Sequence, residues 1–268
     1  MGLRINANIP ALNAQRQTRQ ANDILNNATR RMASGLRINQ ASDDAAGLAI
    51  AERFNTLARQ FQGEIRNLQS GINLAQTAEG GLNEQQNAVQ RLRELAVQSA
   101  NGTLSDNDRQ ALNAEAQQLL EQIDQEAADT EYNDINLLET DQTIPLNAEG
   151  SLQVSLTGST TQTLGLDTLD LSTAEGAAAA IEAADAALNQ IGENRATLGA
   201  QTNRFESAIE QRQTASINAW DAESRVRDAD VAQLLIERTR GQILTQTGIS
   251  ALLQSNVTPQ AAMRLLGS

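Results

Sequence analysis

Residues 45–100 carry an apolar residue at every seventh position, and this repeat limits the possible folds more than any other feature of the chain. A heptad repeat is the pattern of a helix that packs along its whole length against other helices. The stretch contains no proline, and at 1.5 Å per residue it forms a helix roughly 80 Å long. It therefore predicts a rod with partner helices. The repeat consists of Phe61, Leu68, Ala75, Leu82, Val89 and Ala96.

The composition excludes several kinds of functional site. The chain of 268 residues has no cysteine and no histidine, so it offers none of the zinc, disulfide or histidine-dependent nucleophile sites that need them. No motif places a nucleophile beside a base, so we expect no catalytic residues, no metal site and no cofactor. The net charge of −13 argues against a nucleic-acid partner, because no basic surplus is available to replace counterions on phosphates. No stretch approaches the ~20 apolar residues that span a bilayer, and residues 1–10 lack the apolar core of a cleaved secretory signal.

Capping signals divide the chain into further helices. Pro10 marks a helix that begins near Asn8 or Ile9 and stops at residues 34–35, and Ser42 is a candidate N-cap for the long helix. Asn101–Gly102 ends that helix, and Ser105 with Asp108 resembles a capping box that opens a second, antiparallel one. Residues 172–175 (STAE) form another capping box before a third long helix with its own heptads.

Residues 130–171 show the only β pattern in the sequence. Leu152, Val154 and Leu156 alternate with polar residues, and Leu164 and Leu166 resume the alternation after a turn at residues 158–159. Alternation of this kind predicts a small β-hairpin in which these two runs pair.

We therefore predict a mainly α fold. It is an elongated antiparallel helical bundle or coiled coil with a small β-hairpin region, in which the N- and C-terminal helices pair. Residues 1–42 and 223–268 would form the two halves of an inner terminal-helix domain. Residues 43–222 would form a rod domain that includes the hairpin region 130–171.

Both terminal segments carry apolar stripes without an obvious core to cover them. Either the two stripes bury each other within one molecule, or both are left for neighbouring copies, and the sequence leaves these readings open. Gly241, Gly248 and Pro259 weaken the last segment as a free-standing helix. The candidate assembly residues are Ile9, Leu12, Ile24, Leu25, Met32, Val231, Leu234, Leu235, Ile243, Leu244, Ile249, Leu252, Leu253, Val257, Leu265 and Leu266.

Several long motifs, in order along the chain, resemble those of bacterial flagellins. Near the N-terminus the motifs are residues 34–39 (SGLRIN), 43–51 (DDAAGLAIA) and 90–101 (QRLRELAVQSAN). Residues 162–167 (QTLGLD) carry the resemblance in the middle of the chain. Towards the C-terminus it rests on residues 223–232 (ESRVRDADVA), 242–244 (QIL) and 265–267 (LLG). Only residues 131–171 separate the second helix from the third long helix, so the chain resembles a minimal flagellin without variable outer domains.

The resemblance implies a structural subunit that polymerises with itself into a helical filament for swimming motility. It implies that the paired terminal helices line a central channel and that the rods pack around them. It further implies an extracellular location reached by flagellar type III export, an export chaperone on the C-terminal helix, and filament cap and hook-junction proteins as partners. Two alternatives remain: a hook-filament junction protein, which shares the terminal-helix plan, and an intracellular coiled-coil scaffold.

The resemblance also marks a recognition site for a vertebrate Toll-like receptor. Arg91, Leu95 and Glu115 match the positions that these receptors sense. Arg91 and Leu95 are four residues apart and share a face of the long helix, and Glu115 would lie on the adjacent helix. The alternative interpretation is an ordinary interhelix ion pair between Arg91 and Glu115, with Leu95 as an interface residue for filament packing.

Overall fold

The computed structural model describes residues 8–147 and 150–266, and their side chains as far as Val257. In this part of the chain five helices account for most of the residues, as the heptad repeats predict, and four short strands form two antiparallel hairpins. The helices are α1 (Ile9–Ser34), α2 (Ala45–Ser99), α3 (Asp106–Asp129), α4 (Ala174–Arg227) and α5 (Val231–Leu266). The strands are β1 (Glu131–Tyr132), β2 (Ile135–Asn136), β3 (Gln142–Pro145) and β4 (Gln153–Leu156).

The helix caps agree with the sequence at two sites. Asn8 is the N-cap of α1, where its side chain accepts a hydrogen bond from the Ala11 N–H, and Gly35 ends the helix with a left-handed backbone (φ 72°). Ser105 and Asp108 form the predicted capping box of α3, each side chain accepting a hydrogen bond from the other residue's N–H.

Two other cap predictions were wrong, one by two residues and one by a single residue. Asp44, not Ser42, caps α2, because its carboxylate accepts a hydrogen bond from the Gly47 N–H at 2.9 Å. Thr173 caps α4 by accepting from the Gly176 N–H at 3.0 Å, so residues 172–175 form no capping box with Glu175. In both cases a neighbouring residue with an equally suitable oxygen lies closer to the first free N–H groups.

The predicted hairpin has a different partner strand. β4 contains Val154 and Leu156, but it pairs with β3, in register Ile144 opposite Val154, and not with residues 164–166. The segment around Leu164 and Leu166 instead turns back on itself, with the Leu166 N–H donating to the Thr161 carbonyl. Both leucines are buried, so their alternation reflects insertion into the core and not a strand.

The chain divides into two compact units. One comprises Met1–Ala58 with Ile217–Ser268, and the other Arg59–Ser216. These boundaries fall inside α2 and α4, whereas the sequence analysis drew them after residue 42, before α2 begins, and after residue 222, near the end of α4.

Unit Arg59–Ser216 has a single hydrophobic core built by its helices and strands. The α2 heptad residues Leu68, Leu82 and Val89 are fully buried there, together with Ile191 and Phe205 from α4. At the centre a buried amide ties three segments together. Gln85 donates to the Ile123 carbonyl at 3.2 Å and the Ser159 carbonyl at 2.9 Å, and it accepts from the Ser159 hydroxyl. A fully hydrogen-bonded polar group of this kind fixes one packing arrangement.

Candidate assembly surface

Helices α1 and α5 pair through small residues that recur every seven positions. On α1 the buried residues are Ala14, Ala21 and Ala28, and on α5 Gly241 and Gly248 are buried against Leu25 and Thr18 of α1. A Cβ on Gly241 would lie 3.1 Å from the Cα and the backbone N of Leu25, so the two backbones approach closely at this point. The distance between packed helices depends on the side chains at the contact, and glycine and alanine make it short.

Polar contacts fix the antiparallel register of this pair. Asn8 donates to the Ser255 carbonyl at 2.9 Å, and the Thr245 hydroxyl bonds the Asn22 amide oxygen at 3.2 Å. At the other end of the pair Arg238 contacts the Met32 sulfur. The glycines that the sequence analysis took as weak points of the last helix are therefore its contact points.

The close pairing leaves most of the large apolar side chains outside. Leu234 alone among the candidate α5 residues is buried, and Leu252 is partly buried, as are Leu25 and Met32 on α1. The side chains of Leu265 and Leu266 lie outside the described residues. The helices therefore pair within the chain, as the first reading predicts, and they leave most of these large side chains exposed, so the second reading stays a prediction. The exposed candidates are Ile9, Leu12, Ile24, Val231, Leu235, Ile243, Leu244, Ile249, Leu253 and Val257.

Between Val231 and Val257, one face of α5 carries no charged residue and presents several large apolar side chains, with polar residues such as Gln246 and Ser250 among them. With 3.6 residues per turn, the most exposed apolar side chains of α5 lie on the side of the helix opposite Gly241. Arg238 and Arg240 border this side. Ile236 is 69% and Leu253 65% exposed, a degree that is unusual for side chains of this size. Contiguous exposed apolar surface on a folded chain marks an interaction site. We refer to the exposed residues Val231, Leu235, Ile236, Ile243, Ile249, Leu253 and Val257 as the α5 outer face.

Charge is divided unevenly between the two units. The unit that contains α1 and α5 has twelve arginines against nine carboxylates, a net charge of +3. The other unit has eight arginines against twenty-four carboxylates, a net charge of −16. The apolar face therefore belongs to the weakly basic part of a strongly acidic chain.

Backbone hydrogen bonds, which the sequence did not predict, join the segment that follows α1 to the segment that precedes α5. The Arg37 N–H donates to the Arg227 carbonyl at 2.7 Å, and the Ala229 N–H donates to the Gly35 carbonyl at 3.0 Å. Asp43 accepts hydrogen bonds from the N–H groups of Asn39 and Gln40, and the first of these is the largest cause of its lowered pKa. These bonds hold the connection between α1 and α2 against the connection between α4 and α5.

The three receptor-site candidates occupy different environments. Arg91 donates to Glu115 at 2.8 Å and to Glu94 at 3.1 Å, and its hydrogen bond to Glu115 is the largest cause of the raised pKa of Arg91. Both partners of the Arg91–Glu115 pair are about half exposed, at 52% and 46%. Leu95 is 1% exposed and lies in the core, so its side chain is not on the surface with the ion pair.

Within the described residues no group of three or more carboxylates is arranged to hold a metal ion. The described helices also include none with an apolar stretch long enough to cross a bilayer.

Two family models match most of the chain. The bacterial flagellin N-terminal helical region matches residues 5–143, and the bacterial flagellin C-terminal helical region matches residues 181–266. The chain belongs to the bacterial flagellin family. This flagellin is accordingly a structural protein and not an enzyme.

Individual relatives extend over almost the full length of this flagellin. It is 42% identical to a flagellin of Halalkalibacterium halodurans over 98% of its own chain and 99% of that protein. It is 36% identical to a flagellar filament core protein of Brachyspira hyodysenteriae over 98% of its own chain and 99% of that protein. Among solved structures, a putative flagellar hook-associated protein from Vibrio parahaemolyticus has a TM-score of 0.56 at 15% identity, covering 69% of this chain and 100% of that one. At that identity the likeness concerns the fold alone.

Proposed function

We infer that this flagellin is the repeating structural subunit of the bacterial flagellar filament, outside the cell, and that it polymerises with itself. The names of its full-length relatives, flagellin and flagellar filament core protein, support this function over a junction protein or an intracellular scaffold. The single structural observation that carries the mechanism is the α5 outer face, whose large apolar side chains are exposed in the single chain.

A neighbouring copy is the occupant we propose for this face. A contact in which one surface of a subunit meets a different surface of the next does not close on itself, and its repetition generates an open helix. Burying a Leu or Ile side chain completely contributes about 1.5–3 kcal/mol, and these side chains start half exposed. Each would then contribute about half that amount, so several must be covered together to offset the entropy lost on association. A polymer in which every copy covers the next one's face meets this requirement.

The test is seeded polymerisation of a variant with two outer-face changes, Leu235→Gln and Ile243→Gln. Both side chains are more than half exposed in the single chain, so the substitutions leave the α1–α5 contact intact. We expect monomers with unchanged far-UV circular dichroism that form no filaments by electron microscopy. Gln233→Ala, at an exposed polar position of the same helix that lies outside the outer face, is the matched control and should polymerise normally. Filament growth by the double variant at the wild-type rate would overturn the proposed role of this face.

We further propose that the inner domain comprises residues 1–42 and 223–268, that it lines the filament channel, and that residues 43–222 form the surrounding rod. Trimming residues 1–42 and 223–268 should abolish filaments while the remaining chain stays folded by circular dichroism. If the trimmed chain still grew into tubes, this division of roles would be incorrect.

We also propose that an export chaperone binds α5, because the exposed α5 outer face must be covered before assembly. Type III export, with filament cap and hook-junction proteins as later partners, completes the route to the filament tip. An export chaperone co-expressed with the full chain should slow amide exchange in α5 and leave α3 unchanged. Equal protection of both helices would argue against a specific complex on α5.

Recognition by a vertebrate Toll-like receptor is a separate proposal. The exposed Arg91–Glu115 pair supports it, and Leu95 would act only through the packing beneath that pair. In a cell reporter assay with purified monomer, Arg91→Ala should reduce the response. Arg93→Ala, which removes another half-exposed ion pair of the same helix, with Asp185, is the control and should not. A wild-type monomer that gives no response would refute the proposal.

A further inference from the structure

The turn between α2 and α3 holds the one Asn-Gly dipeptide of the sequence, Asn101–Gly102. Both residues are exposed. No hydrogen bond within the described residues holds the Gly102 N–H. A Cβ on Gly102 would meet nothing within 4 Å, so the approach to its nitrogen is open as well.

The side-chain oxygen of Asn101 is held by two donors. The Thr103 N–H donates to Asn101 Oδ1 at 3.1 Å, and the Thr103 hydroxyl donates to the same oxygen at 3.0 Å. Donors aimed at a carbonyl oxygen stabilise the negative charge that develops there when a nucleophile adds to the carbonyl carbon. The turn therefore combines an unhindered, unbonded nitrogen with a polarised amide carbon one residue before it.

We propose that Asn101 is a site of spontaneous self-modification, at which its side-chain amide becomes a carboxylate through a cyclic imide with Gly102. Gly102 N loses its proton to hydroxide and forms a bond to Asn101 Cγ, and the excess charge collects on Oδ1 between the two Thr103 donors. The tetrahedral centre then collapses, the bond from Cγ to the amide nitrogen breaks, and ammonia leaves with a proton from water. Water opens the imide at either carbonyl, which gives aspartate or isoaspartate at position 101.

The modification would disturb the hydrogen bonds of a buried arginine that holds this turn in place. Arg109 donates to the carbonyls of Ser99, Asn101 and Leu104 at 2.9–3.1 Å, so its guanidinium joins the end of α2 to the turn. Isoaspartate inserts an extra methylene into the backbone at residue 101 and changes the spacing of these three carbonyls. A filament subunit that is not replaced after assembly would accumulate this change with age.

The experiment is incubation of the full-length monomer in mildly alkaline buffer, followed by cleavage after arginine and tandem mass spectrometry. One peptide, residues 94–109, carries both Asn101 and Asn107, so Asn107 in the first turn of α3 is an internal reference. Asn133, exposed in the turn between β1 and β2, is the reference for a turn without a following glycine. We expect conversion at Asn101 well ahead of both references.

Three variants test the geometry, with circular dichroism to check that each is folded. Thr103→Val removes the hydroxyl donor and should slow conversion about 2- to 10-fold, the factor expected for one ordinary hydrogen bond. Thr103→Ser keeps a hydroxyl and should convert at nearly the wild-type rate. Gly102→Ala places a Cβ beside the attacking nitrogen and should slow conversion further. The proposal is overturned if Asn101 converts no faster than Asn107 or Asn133, or if Thr103→Val speeds conversion, which would mean that the two hydrogen bonds protect the amide.

Discussion

The close approach of α1 and α5 at Gly241 predicts that Gly241→Ala will not stabilise the helix that contains it. In an exposed helix interior, replacing glycine by alanine gains about 1 kcal/mol. At Gly241 the new Cβ would lie 3.1 Å from backbone atoms of Leu25, which cannot rotate away as the end of a side chain can. The two helices must then separate by a few tenths of an ångström, and overpacking of this kind typically costs 1–3 kcal/mol. The net effect on the pair is a loss of about 0–2 kcal/mol.

Gly192 offers a matched control, because it is also in a helix interior, in α4, and a Cβ there would meet nothing within 4 Å. Gly192→Ala should therefore increase the stability of α4 by about 1 kcal/mol, the full difference in helix propensity between glycine and alanine. The contrast between the two variants is the quantity to measure. It depends on the distance between the α1 and α5 backbones and not on the intrinsic preferences of glycine and alanine.

Native-state amide hydrogen exchange of the full-length monomer is the appropriate assay, because it reports the opening free energy of each helix separately. Gly192→Ala should raise the protection of neighbouring α4 amides, while Gly241→Ala should leave α1 and α5 amides unchanged or less protected. If Gly241→Ala raised protection in α5 as much as Gly192→Ala does in α4, the close contact between the two helices would not exist in solution.

Three further predictions concern the acidic unit. Arg109→Leu removes the guanidinium that donates to the Ser99 carbonyl at the end of α2 and to the turn carbonyls of Asn101 and Leu104, and it should destabilise the monomer by about 2–4 kcal/mol in urea unfolding. A loss below about 1 kcal/mol would mean that water replaces the guanidinium. A hydrogen bond from the Ser105 hydroxyl is the largest cause of the lowered pKa of Asp108, and a bond from the Ser105 N–H is the next. The ionised Asp108 carboxylate therefore stabilises the fold above the ordinary aspartate pKa, and this stabilisation is lost as the pH falls through the lower pKa of the folded state. Asp108→Asn should flatten this acid limb in a plot of Tm against pH, and an unchanged limb would contradict the assignment. Finally, added salt should speed seeded polymerisation, because the net charge of −16 on unit Arg59–Ser216 repels the same unit of neighbouring copies over a Debye length that shrinks from about 30 Å at 0.01 M to about 8 Å at 0.15 M. A rate that falls with salt would indicate attractive charge contacts instead.

The sequence predicted the elements whose signal is repeated many times. The α2 heptads recur over six positions, and the residues they mark, such as Leu68 and Leu82, are buried as expected. Single-residue signals were less reliable. Asp44 competes with Ser42, and Thr173 with Ser172, so the choice of cap depends on which oxygen the folded chain brings to the first free N–H groups.

The strand pairing could not be read from hydrophobic alternation. β3 has only Ile144 as a large apolar residue and contains Pro145, so it gives almost no strand signal, yet it is the partner of β4. Leu164 and Leu166 give a stronger alternation and are buried without forming a strand. For a short hairpin on a helical core, contacts with that core decide the pairing, and they are not local in sequence.

The candidate assembly surface was predicted from its large side chains, but the structure shows that small residues hold α1 and α5 together and leave many of those side chains exposed. If α1 and α5 packed through leucine and isoleucine, burial of those residues would satisfy the pair within one chain and leave little apolar surface for another copy. Pairing through Ala21, Ala28 and Gly241 buries little apolar area and sends residues such as Ile236 and Leu253 outward. The same arrangement leaves the helix pair weakly held in the monomer, because the missing burial energy becomes available only when a neighbour covers the outer face. Stability of the terminal helices and polymerisation are thus one coupled equilibrium, and a substitution that strengthens the α1–α5 contact by burying a large outer-face residue should weaken the filament.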